Sequence, residues 1–169
     1  MTTKMKNSIM HWAWIGAILF GFGLIGAGVF MVVQGRNAHN DVKSALSAER
    51  IVTPADSDLP NTPVTGASQA KAQADVIWKH VMTQTGGKTY AELAQTDPLR
   101  ATYLTSVTLR TALMESYLAF KVADLVMGIG LIVALLGASQ VVLGGFLGMM
   151  ARSSEAKASP IGRPLPATA

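Results

Sequence analysis

The chain of 169 residues contains no cysteine. Disulfides, thiolate nucleophiles, cysteine-ligated zinc, iron–sulfur clusters and covalently attached c-type haem are therefore excluded. Charge is scarce as well: 14% of residues are Asp, Glu, Lys or Arg, against 50% hydrophobic. Histidine occurs only as His11, His39 and His80, and none falls in an HxxxH, HExxH or Glu-x-x-His spacing. Without such a spacing no helix face offers a metal two ligands, and no histidine lies mid-block to hold a membrane haem. The plentiful Ser and Thr never form the GxSxG of a nucleophile elbow. Basic residues exceed acidic by four, but they are scattered without interleaved aromatics, which speaks against nucleic acid as a partner.

What is present is concentrated. The apolar residues gather in two blocks, residues 10–33 and 122–151, and the mean hydropathy of the whole chain is +0.34. Each block exceeds the roughly 20 residues that span a bilayer's hydrocarbon core. The first, "MHWAWIGAILFGFGLIGAGVFMVV", has no acid, Lys or Arg. Its length passes the roughly 7–15 residues of a signal-peptide apolar run, so a retained span is expected. The second, "VADLVMGIGLIVALLGASQVVLGGFLGMMA", has one acid, Asp124, and about 45 Å of helix. It must tilt, kink or project from the membrane, and Ser139-Gln140 is the expected place for a kink or a polar contact. Lys4 and Lys6 precede the first block, while Arg152, Lys157 and Arg163 follow the second beside Glu155. Asp41, Glu49, Asp56, Asp58, Asp75, Glu92 and Asp97 lie between the blocks. The positive-inside tendency then puts both termini in the cytoplasm of a two-pass protein of the cell membrane.

The expected fold class is all-α: two transmembrane helices with a small extracytoplasmic helical segment between them. The divisions are a cytoplasmic N-terminus (1–9), the first span (10–33), the outer segment with an amphipathic lead-in helix (34–121), the second span (122–151) and a disordered cytoplasmic tail (152–169). Ala13, Ala17 and Gly21 recur every four residues on the first span. Gly130, Ala134 and Ala138 do so on the second, where Gly144 and Gly148 form a GxxxG pair. Small residues at this spacing let helix backbones approach in lipid, against each other or against another subunit. Lys121 and Asp124, three apart near the outer interface, can pair along the helix or snorkel.

In the outer segment, 34–51 continues the first helix, and the Pro-, Asp- and Thr-rich 52–66 is extended or turn-like. Helical spacing resumes in "ASQAKAQADVIWKHVMTQT", where Ala70, Ala74, Ile77 and Val81 share a face widened by Trp78 and Met82. "TGGKTY" then resembles the end of a phosphate loop. The glycine such a loop needs five residues before Gly87 is Met82, and no buried strand precedes it. No nucleotide is expected. Gly86-Gly87 instead suits a helix C-terminal cap, and "TYAE" is a capping box that would open a new helix. Asp97-Pro98 starts the last helix, with Tyr103, Val107, Met114 and Leu118 roughly on one side.

The stretches "GGKTYAEL", "DPLRATYL" and "LRTALMESYLAF" make residues 10–138 resemble a group of small actinobacterial two-span membrane proteins of unknown function. Members often carry the label of an aromatic ring-opening dioxygenase of the LigA type. That chemistry needs a metal held by positioned His and Glu, a set the spacings here do not supply. The resemblance implies an N-terminal span, an outer helical segment and a C-terminal span. The function expected is non-catalytic: an accessory or scaffolding subunit, without cofactor, in contact with the lipid bilayer and with other membrane protein subunits. A respiratory complex is one candidate assembly. The alternative is a membrane-anchored sensor or binding module, with a pocket for a small ligand or lipid near Trp78, Tyr90 and Tyr103.

Overall fold

A computed structural model describes residues 2–157, with side chains over 12–153. Three helices account for it: α1 (Thr2–Ala48), α2 (Ala67–Gln84) and α3 (Leu99–Lys157). The fold is all-α, and α1 and α3 are each long and apolar enough to cross a membrane. Expectations placed on the side chains of Lys4, Lys6, His11, Glu155 and Lys157, on Arg163 and on the end of the tail lie outside the described residues. The chain divides into two compact units, Met1–Phe30 with Ile129–Ala169, and Met31–Gly128.

In the first unit α1 and α3 run antiparallel, with small residues inside and large ones outside. The α1 positions turned inward include Trp14, Ile18, Gly21, Ile25 and Gly28; those of α3 include Gly130, Ala134, Gly137, Val141, Gly144 and Gly148. Leu19, Phe20, Phe22 and Phe30 of α1 point outward, as do Leu131, Leu135, Val142 and Phe146 of α3. A water-soluble helix pair does the opposite. Between two helices in lipid the hydrophobic effect drives nothing, so close packing of small residues must hold them. Ser139 does not break α3: its hydroxyl donates to the Leu136 carbonyl at 2.8 Å, a polar contact within its own helix.

The second unit folds the end of α1, the loop 49–66, α2, a turn segment and the start of α3 around two apolar clusters. One joins Leu46, Val64, Ala70, Ala74, Leu113 and Phe120. The other joins Val81, Leu93 and Tyr103, with Trp78, Tyr90 and Val107 packed against them. The expected face of α2 is the one used: Ala70, Ala74 and Val81 are buried, with Ile77, Trp78 and Met82 half-buried. The loop is organised by buried Thr53, whose hydroxyl bonds the Leu59 carbonyl and accepts from Thr62 N at 2.9 Å. Thr53 N in turn donates to the Thr62 carbonyl at 3.0 Å, beside a bridge between Val52 and Pro63.

Gly86 and Gly87 end α2 with φ of +62° and +82°. Gly87 N donates to Met82 O at 2.7 Å and Gly86 N to Thr83 O at 3.3 Å, the paired bonds of a Schellman cap. Of the two capping-box bonds of "TYAE" one forms, Glu92 Oε2 accepting from Thr89 N at 2.7 Å; Thr89 Oγ1 donates to the same oxygen at 2.8 Å, and Glu92 N bonds the Thr89 carbonyl at 3.0 Å instead of the hydroxyl. No helix follows them. Only a few residues separate Thr89 from Pro98, too few to nucleate a turn of helix cheaply, and Pro98 disfavours helical conformation at Asp97. The segment stays in turns, and Asp97 Oδ1 accepts from Leu99 N at 2.9 Å to start α3. Leu118 also departs from expectation: it is 60% exposed, and the buried side of α3 runs through Tyr103, Leu113 and Phe120.

Candidate functional site

Three arrangements in the molecule are built for contact. The first is the glycine seam of the first unit. A β-carbon on Gly28 would lie 2.5 Å from Ala134 N and from Gly130 O; one on Gly21 would lie 2.7 Å from Gly137 O. Gly137 reciprocates at 2.6 Å from Gly21 O, and Gly144 faces Ile18 and Trp14. Here the glycine Cα–H points at a facing carbonyl oxygen, a weak bond that recurs wherever helices touch this closely. Gly21, Gly130, Ala134, Gly144 and Gly148 thus lie where small residues were expected to pack. Ala17 is half-buried, and Ala13 and Ala138 are exposed. Gly28 and Gly137 were not anticipated, nor was Gly35, whose added β-carbon would lie 2.9 Å from Ala123 O in the second unit. Their signal is a spacing of seven, Gly21-Gly28-Gly35 and Gly130-Gly137-Gly144, the repeat of helices wound left-handed about each other.

The second arrangement is polar. Asp124 Oδ1 lies 3.3 Å from His39 Nδ1, joining α3 to α1, while His39 sets its ring edge-on to Phe120 at 4.8 Å. Lys121 Nζ stands over the Tyr117 ring at 5.7 Å. The pair anticipated between Lys121 and Asp124 is therefore replaced by contacts from other turns and another helix. On the loop, Asp56 Oδ2 meets His80 Nε2 at 2.9 Å and Lys79 Nζ at 3.0 Å. The hydrogen bond to His80, then that to Lys79, lowers the Asp56 carboxyl from 3.8 to about 2. A depressed carboxylate stabilises the fold above its unfolded value and loses that contribution as pH falls through the folded one. The protection of the amides of residues 52–66, taken relative to their intrinsic exchange rates, should accordingly fall between about pH 4 and pH 2. Asp56→Asn should show the lower protection at neutral pH and no further acid step; an acid step of unchanged size would overturn the assignment.

The third is a concavity in the second unit. The expected pocket at Trp78, Tyr90 and Tyr103 is filled. Trp78 and Tyr90 pack on Tyr103 with ring centroids 6.2 and 6.1 Å away. Arg100 lies 3.9 Å over Tyr90 and Arg110 lies 4.7 Å over Trp78. An open cavity of about 720 Å³ lies elsewhere, walled by Val42 and Leu46 of α1, Ile77 of α2, and Leu109, Leu113 and Ala119 of α3. Gln73, Glu49, Glu115 and Ser116 supply its polar atoms. A second groove of about 630 Å³ shares Glu115 and Ala119 with it and continues past Gly35, Leu118, Val122 and Val126.

Among the described residues no group of three or more His, Asp or Glu side chains is placed to hold a metal ion. Comparison of the chain with protein families, curated proteins and solved structures finds no match.

Proposed function

We propose that this is a non-catalytic integral membrane protein, an accessory or scaffolding subunit that packs against other membrane subunits. Its α1 and α3 would cross the cell membrane with both termini cytoplasmic and residues 34–121 outside. The observation that carries this reading is the second set of helical glycines. Gly16, Gly23, Gly26, Gly128 and Gly145 have nothing within 4 Å of where a side chain would sit. A helical glycine costs about 1 kcal/mol relative to alanine, and at these positions nothing among the described residues offsets that cost. Gly16 and Gly23 are seven apart, with Ala27 four further on, the pattern of the internal seam repeated on an uncovered face. A large subunit's helix laid there would offset the cost by backbone approach. The resemblance to two-span actinobacterial proteins agrees with this reading, and a respiratory complex is one assembly in which it would serve.

The test is isolation from native membranes in gentle detergent, with mass spectrometry and size analysis of wild type and a Gly16→Leu/Gly23→Leu variant. A large complex of constant composition, lost in the variant while its helicity is kept, is the expected outcome. A wild-type protein that runs alone as a monomer would sink the proposal. The open cavity favours a second reading, a membrane-anchored binding module whose outer helices hold a small ligand or lipid.

A further inference from the structure

The cavity between α1, α2 and α3 of the second unit has a chemistry more specific than its size. Its walls are Val, Leu, Ile and Ala, and no Lys, Arg or His lines it. Every strongly polar group that reaches it can accept a hydrogen bond. Glu49 and Glu115 are carboxylates whose side chains make no ion pair or hydrogen bond with a described residue. Gln73 Oε1 is buried and has no hydrogen-bond partner, an uncommon condition for a buried acceptor in a folded chain. The cavity therefore offers apolar contact over most of its surface and a few acceptor groups, two of them carboxylates.

On that second reading, we propose that the cavity binds a compact apolar amine, a hydrocarbon body carrying a protonated amino head. The body replaces water against Leu46, Ile77 and Leu113, and at about 720 Å³ the space falls among those that hold small molecules. The ammonium supplies the donors that Glu115, Glu49 and Gln73 lack, and a charge-assisted bond is the strong form of that contact. A carboxylate or phosphate head meets two like charges with no cation to offset them. A bare hard cation is a poor fit as well, because it needs six to eight oxygen ligands and most of this wall is hydrocarbon.

The experiment uses the full chain in phosphatidylcholine nanodiscs, with empty nanodiscs as the correction for partitioning. Three probes share one hydrocarbon cage and differ in the head: 1-adamantylamine, 1-adamantanol and 1-adamantanecarboxylate. Titration calorimetry should show the amine binding about tenfold more tightly than the alcohol, with no binding of the carboxylate. Glu115→Gln and Glu49→Gln should each weaken the amine by several-fold and leave the alcohol unchanged. Ala112→Trp, which fills the cavity from an exposed position, should abolish binding of both. Equal binding of all three probes, or an amine affinity unmoved by the two Gln variants, overturns the assignment of the head group while the binding-module reading stands. No binding of any probe to a folded protein overturns both.

Discussion

Leucine in place of Gly28 will force α1 and α3 apart and lower the melting temperature of the detergent-solubilised protein by roughly 5–10 °C. The added β-carbon alone would lie 2.5 Å from Ala134 N and Gly130 O, and 2.8 Å from the Ala134 β-carbon. Two of those atoms are backbone, so no rotamer change can relieve the clash. The helices must separate, and packing is lost along the facing turns. Overpacking of this kind costs about 1–3 kcal/mol in a well-packed interior, and more where backbone is the obstacle. Gly26→Leu, two residues away, meets nothing within 4 Å and should leave the melting temperature within about 2 °C. Circular dichroism melts of the two variants against wild type decide the matter. A Gly28→Leu protein as stable as Gly26→Leu would mean that the seam does not hold the helices together.

Removing the Phe120 ring will be the most damaging change in the second unit. Phe120 is 0% exposed and sits in the cluster with Leu46, Val64, Ala70, Ala74 and Leu113. That cluster draws on α1, the loop, α2 and α3 together, every element of the unit but the turn segment before α3. Phe→Ala in such a place costs about 3–5 kcal/mol, because the lost transfer energy is added to the cavity left behind. The edge of His39 against the ring is lost too, and with it the constraint that holds His39 toward Asp124. Phe120→Ala should therefore release α2 and open residues 52–66 to limited proteolysis, while Phe120→Leu should cost about 1.5 kcal/mol or less. Equal protease resistance of Phe120→Ala and wild type would show that the cluster is not the keystone of the unit.

Some of this architecture could be read directly from residues. Gly86-Gly87 must end a helix, because two positive φ values there cost glycine little. Asp97-Pro98 must start one, and residues 52–66 could not be either helix or long strand. Other features were present in the sequence but needed the right period. Steps of four pick out Gly130 and Ala134, and also Ala13 and Ala138, which are exposed. Steps of seven pick out Gly21, Gly28, Gly130, Gly137 and Gly144, and also the exposed Gly16 and Gly23; seven is the period that keeps one seam facing a neighbouring helix. Still others had no local trace. His39 and Asp124 are 85 residues apart, and Asp124 has Lys121 as an equally plausible neighbour until the helices are placed.

The sequence by itself determined where α2 ends and α3 begins, the two apolar stretches and the absence of any cysteine-based site. Each follows from short-range physics: capping geometry, proline sterics, and the length of apolar chain that matches a bilayer. Only the tertiary structure decided which glycines are covered by α1 against α3 and which remain open. Only it showed that the aromatic residues near Trp78 fill their own space while a cavity opens beside Leu46 and Glu115. Those outcomes depend on which side chains from distant turns compete for one volume, and no local spacing encodes that competition.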